Sequence, residues 1–429
     1  QNLLEAQEWN TFQSSIITLD KDDPLYRKTE AFIKNLEHVN PKKAYQKWKR
    51  YQKFETPKRK GWIYKLSIPL TETYAPEVLI YLPEGYKPKQ QHKTLIYFKG
   101  GWMNRKTLPE KVYQEIITEN PFFPYLDQEN IIQVFPILDW DLAINWKYGY
   151  QHLEKILQSI KFRFNIDDNA VIVGGFSDGG LSANSLAIYK PNGLAGVISI
   201  NGRINSQPPM VNFGLRPMLS FVGSADQVAH PEHLNSLRAI LPAYYPNWEI
   251  QMIKGKGHNY LEYPTEVVPQ ALEFCKTTKR TSYPARLYYH RKGNYKDYDG
   301  VDWLQVSVRP DSLPNQEGEV PIVDQTISYQ WANGDTIAYQ YGPKYGQIQA
   351  QFQDNRFNLY VYRIDSVTLR LSPDMVDFKR PVEVWINGYK QFDGRVDYNS
   401  DYFKNQLITR MDRKQIWVDT LNVAVPPYK

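Results

Sequence analysis

The chain has 429 residues, 42% of them hydrophobic and 23% charged, with a net charge of +6 and one cysteine. That length exceeds what a single compact core organises, so two or three domains are expected. The lone Cys275 excludes an internal disulfide and a cysteine-based zinc site, and no run of 18 apolar residues is present to span a membrane.

Residues 1–60 are polar and charged and carry no strand signal before Trp62. Asp20-Lys-Asp-Asp-Pro24 and Asn40-Pro41 read as breaks, so this segment is predicted to be a helical extension. Much of the positive charge sits in Lys42–Lys60, KKAYQKWKRYQKFETPKRK. Basic residues interleaved with aromatics suit a polyanion. However, Tyr45, Trp48, Tyr51 and Phe54 recur at steps of three and form one helical stripe. The favoured reading is an amphipathic helix lying on the next domain, with no nucleic-acid partner. The first residue is Gln1, which fits a removed export signal or a trimmed boundary. A secreted or periplasmic location is the expectation, although the lack of disulfides pulls weakly against it.

From Gly61 to Lys279, apolar β-rich runs alternate with helical stretches. The runs are WIYKLSI, EVLIYL, TLIYF, IIQVF, AVIVG, GVISI, PMLSFV and WEIQMI. Candidate helices lie near Leu108–Thr118, Lys147–Phe164, Ser182–Tyr189, Pro231–Leu241 and Pro264–Lys276. Strands of this kind predict an α/β domain whose mostly parallel sheet is covered by helices on both faces. The first two runs have no helix between them and read as an antiparallel edge. Cys275, in the apolar stretch after Val267, reads as a small core residue.

Within this domain, Ala170-Val-Ile-Val-Gly-Gly-Phe-Ser177-Asp-Gly-Gly180 takes a β-branched strand into Gly-Phe-Ser-Asp-Gly and on into a helix. Glycines two residues either side of Ser177 permit a sharp turn that leaves the hydroxyl exposed at a helix N-terminus. A nucleophilic serine needs a base, and the base an orienting acid. Two later strands supply candidates at their carboxyl ends, Asp226 after Pro217–Val222 and His258 after Trp248–Ile253. An oxyanion hole needs two backbone donors. The amide of Asp178 is one candidate. Gly101, with Trp102 as second choice, is the other, on the loop after Thr94–Phe98. Trp102, Trp140, Trp146 and Tyr260 fall near strand ends and are candidate substrate-binding residues. His230-Pro-Glu-His233 has metal-compatible spacing but no evident third ligand, so no metal or cofactor is implied.

These motifs resemble the α/β-hydrolase superfamily over Gly61–Lys279. More narrowly, they resemble its branch of feruloyl and acetyl-xylan esterases, polyhydroxybutyrate-depolymerase-like esterases and prolyl-oligopeptidase-like hydrolases. The resemblance implies a carboxylic ester hydrolase working through Ser177, Asp226 and His258, on a small acyl or polysaccharide-linked ester. In that branch the oxyanion strand usually ends in His-Gly, whereas Lys99 precedes Gly100 here, and Asp178 stands where a small or apolar residue is commoner. A peptidase is a second enzymatic reading, and a polymer-binding protein on a hydrolase fold a third.

Beyond Arg280 the helical pattern disappears. ARLYYHR, WLQVSV, TIAYQY, QIQAQF, FNLYVYRI, SVTLRL and VEVWI read as strands, with Asn333-Gly334 and Asn387-Gly388 suited to hairpin turns. Residues 280–429 are predicted to form an all-β, sandwich-like domain. It resembles C-terminal domains of some secreted bacterial esterases and reads as an accessory module. Its aromatics are assigned to the core first and to a sugar-stacking face second.

Overall fold

The computed structural model describes residues 16–101, 113, 120–139, 142, 148–204, 210–229, 231, 232, 234, 247–292, 300–310, 312–322, 325–330, 336–341 and 345–427. Nine strands form the main sheet: β1 (Ile17–Leu19), β2 (Trp62–Ser67), β3 (Glu77–Leu82), β4 (His92–Phe98), β5 (Ile132–Pro136), β6 (Ile166–Phe176), β7 (Gly196–Ile200), β8 (Met218–Gly223) and β9 (Trp248–Ile253). Their spatial order is β1-β2-β3-β5-β4-β6-β7-β8-β9. From β5 to β9 every pairing is parallel, and β3 pairs antiparallel with both β2 and β5. All eight runs read from the sequence are strands of this sheet.

The central parallel strands are buried on both faces, which is why they read as unbroken apolar runs, whereas the edge strand β9 leaves Glu249 exposed. One face is covered by α4 (Gly149–Arg163) and α5 (Asp178–Tyr189), through Leu153, Ile156, Ile160, Ala183 and Leu186. The other is covered by α6 (Pro264–Thr277), through Val267, Val268, Ala271, Leu272 and the buried Cys275. A short α3 (Leu126–Glu129) precedes β5. Because β4, β6, β8 and β9 run in one direction, the loops after them emerge along one edge of the sheet.

The N-terminal segment departs from the helical expectation. Ile17–Leu19 adds a parallel edge strand beside β2, as the β-branched run Ile16-Ile17-Thr18 favours. Two helices follow, α1 (Pro24–Leu36) and α2 (Pro41–Lys49). Both breaks noted in the sequence act as caps: Asp23 accepts from the Tyr26 amide and Asn40 from the Lys42 amide, each followed by proline in the first turn. Since α2 stops at Lys49, the aromatic stripe leaves the helix. Tyr51 and Phe54 nonetheless join Tyr45 and Trp48 in one buried cluster, and Lys42, Lys43 and Lys47 face solvent.

After residue 280 the chain is β-rich. Strands β10 (Arg286–Lys292), β15 (Tyr345–Gln353), β16 (Arg356–Tyr362), β18 (Val382–Ile386) and β19 (Tyr389–Gly394) form a five-stranded sheet. A four-stranded sheet holds β11 (Gly300–Val301), β12 (Leu304–Val308), β17 (Ile364–Leu371) and β20 (Asp419–Ala424). The two share a core around Trp303, Phe357, Leu359, Leu369 and Trp417. A separate hairpin pairs β13 (Gln325–Gln330) with β14 (Thr336–Tyr341). Asn387-Gly388 turns β18 into β19 with φ of 49° and 85°, whereas Asn333-Gly334 lies outside the described residues. Among the aromatics, Tyr289 and Tyr362 are buried, while Tyr288 and Tyr360 are exposed.

The all-β expectation needs one correction, the helix α7 (Ser400–Arg410). Asn399 caps it, and Phe403, Leu407 and Met411, spaced by four, pack on the N-terminal cluster of Tyr45, Trp48 and Phe162. Nor is the β-rich part attached only at its margin. Buried ion pairs join it to the main-sheet region: Arg216–Asp302 at 2.6 Å, Arg413–Asp168 at 3.1 Å, and Lys161–Asp412 at 3.9 Å. The Trp48 indole donates to the Asp412 carbonyl at 2.9 Å.

Candidate active site

Three loops along the sheet edge meet at Ser177. Strand β6 ends at Phe176, α5 begins at Asp178, and Ser177 between them has φ 54° and ψ −116°. That is a strained conformation for a residue with a Cβ. Its amide donates to the Ile200 carbonyl of β7 at 2.9 Å, which holds the turn against the sheet. Two flanking glycines are steric necessities. A Cβ on Gly175 would lie 2.2 Å from the Gly179 carbonyl oxygen, and one on Gly179 would lie 2.0 Å from the Phe98 carbonyl oxygen. Glycine at these positions lets the elbow close onto β4.

The Ser177 hydroxyl oxygen lies 2.8 Å from His258 Nε2. On the far side of the ring, His258 Nδ1 is 2.9 Å from Asp226 Oδ2. The other carboxylate oxygen of Asp226 accepts from the amides of Val228 at 2.7 Å and Ala229 at 2.9 Å. Burial pushes the Asp226 carboxyl up. The His258 hydrogen bond and those two amides outweigh burial and hold it below the usual carboxylate range. The carboxylate is therefore fixed in its charged form, oriented to accept a proton-bearing Nδ1. Phe176 lies against the imidazole, ring centroids 5.2 Å apart.

One positioning residue carries no motif in the sequence. Asn201 follows β7 with φ 46°. Its side-chain amide donates to the His258 carbonyl at 2.5 Å and to the Tyr263 hydroxyl at 2.7 Å, and its oxygen accepts from the Gly223 amide at 3.0 Å. Tyr263 in turn donates to the Gly257 carbonyl at 2.8 Å. Asn201 thus ties the end of β8 to the histidine loop. Its only sequence signal is Asn-Gly directly after a strand.

A cavity of about 360 Å³ opens beside Ser177 and His258. Tyr97, Phe135, Phe176, Tyr260 and Leu261 give it an apolar wall, and Lys99, Gly100 and Gly101 form its floor near the serine. Gly101 has φ 69°, and a Cβ on Gly100 would come within 2.9 Å of the Ser177 Cβ. The backbone of this loop therefore passes directly over the nucleophile position. Asp178 opens α5, where amides lack intrahelical acceptors. Tyr260 is buried and its hydroxyl pairs with that of Tyr97 at 2.5 Å, so it shapes the cavity rather than projecting into it. Trp102, Trp140, Trp146, His230 and His233 lie outside the described residues.

Sheet order, crossover helices and the strand–elbow–helix turn give this part of the chain the α/β-hydrolase fold. Residues 147–278 match the family model described as Phospholipase/Carboxylesterase, a stretch that contains Ser177, Asp226 and His258. NocK of Nocardia uniformis subsp. tsuyamanensis, provisionally named an esterase, is 38% identical over 79 residues, 18% of this chain. The match spans 23% of the length of that relative. Similar solved structures include a thermostable esterase (TM-score 0.43, 15% identity, 51% of this chain and 63% of that one). An S-formylglutathione hydrolase of Staphylococcus aureus gives TM-score 0.41 and 14% identity, over 52% and 99% of the two chains. A feruloyl esterase module of Clostridium thermocellum gives 0.39 and 17%, over 50% and 89%.

Proposed function

We propose that the protein is a serine carboxylic ester hydrolase. The observation that carries this reading is the hydrogen-bonded chain from Ser177 through His258 to Asp226, with the serine held at positive φ beside an open cavity. In the proposed reaction His258 Nε2 takes the serine proton as Oγ attacks the ester carbonyl. Asp226 fixes the imidazole tautomer and stabilises its protonated form. The amides of Gly101 and Asp178 receive the charge that develops on the carbonyl oxygen. His258 then protonates the departing alcohol, and water, activated by the same imidazole, releases the acid.

The Phospholipase/Carboxylesterase match and the designation of NocK support ester rather than amide chemistry. A compact aromatic cavity favours a small acyl group. The motif resemblance to acetyl-xylan and feruloyl esterases points to a carbohydrate-linked alcohol. Purified protein assayed on p-nitrophenyl esters of increasing chain length, beside a feruloyl ester and a peptide amide, tests this. Turnover of short esters with no amide cleavage is the expected pattern. Amide cleavage without ester turnover would replace the proposal with a peptidase.

A further inference from the structure

A second cleft, of about 340 Å³, lies at the seam where α4 and the end of α5 meet α7 and the β-rich part. Four cations line it, Lys161, Lys190, Arg370 and Arg410, against two carboxylates, Glu154 and Asp412. Both carboxylates are already engaged. Glu154 pairs with Lys190 at 3.1 Å, and Asp412 pairs with Arg280 at 2.7 Å. Lys161 is held by Asp168 at 2.9 Å. Arg370 donates to the Asp302 carbonyl at 2.6 Å and to the Tyr402 hydroxyl. Arg410 has no ion pair with any carboxylate among the described residues.

The surplus of positive charge extends through the seam. Lys161, Arg216, Arg280, Arg370 and Arg413 are buried there, against the buried carboxylates Asp168, Asp302 and Asp412. Cations therefore outnumber carboxylates before Arg410 is counted. Buried charges without compensation are unfavourable, and like charges crowded in a cavity make it more so. Arg410 itself is half-buried, and desolvation followed by the neighbouring Arg370 lowers its guanidinium to about 10.

We propose that this cleft binds a small, multiply charged oxyanion, a phosphate- or polycarboxylate-bearing molecule whose negative groups sit among Arg410, Arg370 and Lys190. Guanidinium forks match the paired oxygens of such groups, and the volume suits a small metabolite rather than a polymer. Lys190 caps the carboxyl end of α5, and Ser177 stands at its other end. A helix of this length separates them by roughly 20 Å, so the cleft is distinct from the ester cavity. A ligand bound across the seam strengthens the docking of the β-rich part on the hydrolase sheet.

The test is calorimetric titration and thermal melting of the full chain with sodium phosphate and with sodium citrate, each against sodium chloride at matched ionic strength. Saturable binding and a rising melting temperature are expected from at least one of the two. Phosphate alone would mark a phosphoryl ligand, citrate alone a carboxylate ligand, and both a general oxyanion site. Arg410→Gln and Lys190→Gln should each weaken binding at least tenfold and leave ester turnover unchanged. In chloride, Arg410→Gln should melt no lower than the parent, because it removes an uncompensated cation. Should that variant fail to fold, Lys190→Gln, at a half-buried position, carries the same comparison. A melting shift that chloride reproduces, or an affinity that the folded variants leave unaltered, overturns the proposal.

Discussion

Ser177 is held at φ 54° for the sake of where its hydroxyl points. Such a conformation costs on the order of 1–3 kcal/mol for a residue with a side chain. Ser177→Ala keeps the Cβ and the strain, so it should lose on the order of 10⁴-fold or more in ester turnover with an unchanged melting temperature. Ser177→Gly relieves the strain, and despite the added freedom of its unfolded chain it should be inactive yet about 1 kcal/mol more stable. Equal melting temperatures for the two variants would show that the elbow stores no strain. His258→Ala should be as damaging as loss of the serine, and a fluorophosphonate probe that labels the parent at Ser177 should label neither serine variant. Asn201 acts one step back, through the carbonyl of His258 and the hydroxyl of Tyr263. Asn201→Ala should lower kcat on the order of 10²-fold while leaving KM nearly unchanged, since a misplaced base affects the transition state more than binding. A KM effect alone would assign Asn201 to binding instead. The meeting of Ser177, Asp226 and His258 was legible because each follows the carboxyl end of a strand of one parallel sheet, and those ends share an edge. Asn201 was not, because an asparagine's hydrogen bonds to distant loops leave no pattern in the local sequence.

Elements are positioned by backbone contacts that the side-chain pattern records only partly. All eight sheet strands between Trp62 and Ile253 were legible as β-rich runs, and for the central ones burial on both faces forces an apolar composition. Helix α7 was not, since only Phe403 and Leu407 are buried along its 11 residues. Strand β1 was missed for a similar reason: three residues are too few to show a period. One close approach between elements is α5 on β4, where Gly179 leaves no room for a methyl group beside the Phe98 carbonyl oxygen. Gly179→Ala should therefore cost about 3 kcal/mol or more and displace the elbow. Thermal melting reads the loss, and turnover should fall further than the unfolded fraction explains, because the surviving fold carries a shifted Ser177. A variant with parental stability would mean that α5 slides on β4 at little cost.

At the scale of the molecule, the N-terminal helices, the hydrolase sheet and the β-rich part share buried charges as well as apolar surface. Arg413 reaches across the seam to Asp168 and Asn165, and its guanidinium lies over the Phe54 ring. Truncation near Lys279 would take Arg413 from Asp168, Asp412 from Lys161 and Asp302 from Arg216, and would uncover the apolar cluster of Tyr45, Trp48 and Phe162 on which α7 packs. Breaking a buried pair on one side typically costs about 3–5 kcal/mol. The truncated chain is thus expected to unfold or aggregate, rather than to behave as the independent catalytic domain that the sequence alone suggested. A folded, active product of that truncation, seen by circular dichroism and ester turnover, would restore the accessory-module reading.

Acid should act on the same assembly through its buried histidines. His152 in α4 and His290 in β10 are both pushed by burial down to about 3. Each is neutral when folded, while the unfolded chain takes up a proton near the ordinary imidazole value of about 6.5. The unfolded state therefore binds more protons between those limits, so stability is full above about 6.5 and declines as pH falls toward 3. Each histidine contributes up to about 1.4 kcal/mol per pH unit in that window. Asp412 adds to the loss at the lower end. Burial raises its carboxyl, but Arg280 and Lys161 prevail and hold it at about 2, so its contribution fades only as pH drops from the ordinary carboxylate range toward that value. Melting temperature should hold from pH 7.5 to about 6.5 and fall from there to about pH 5, above the ordinary carboxylate range. His290→Phe, which removes one buried imidazole beside Asn212, should make that slope shallower, with His152 and His92 carrying the rest. An unchanged slope in this variant would assign the acid sensitivity to other groups.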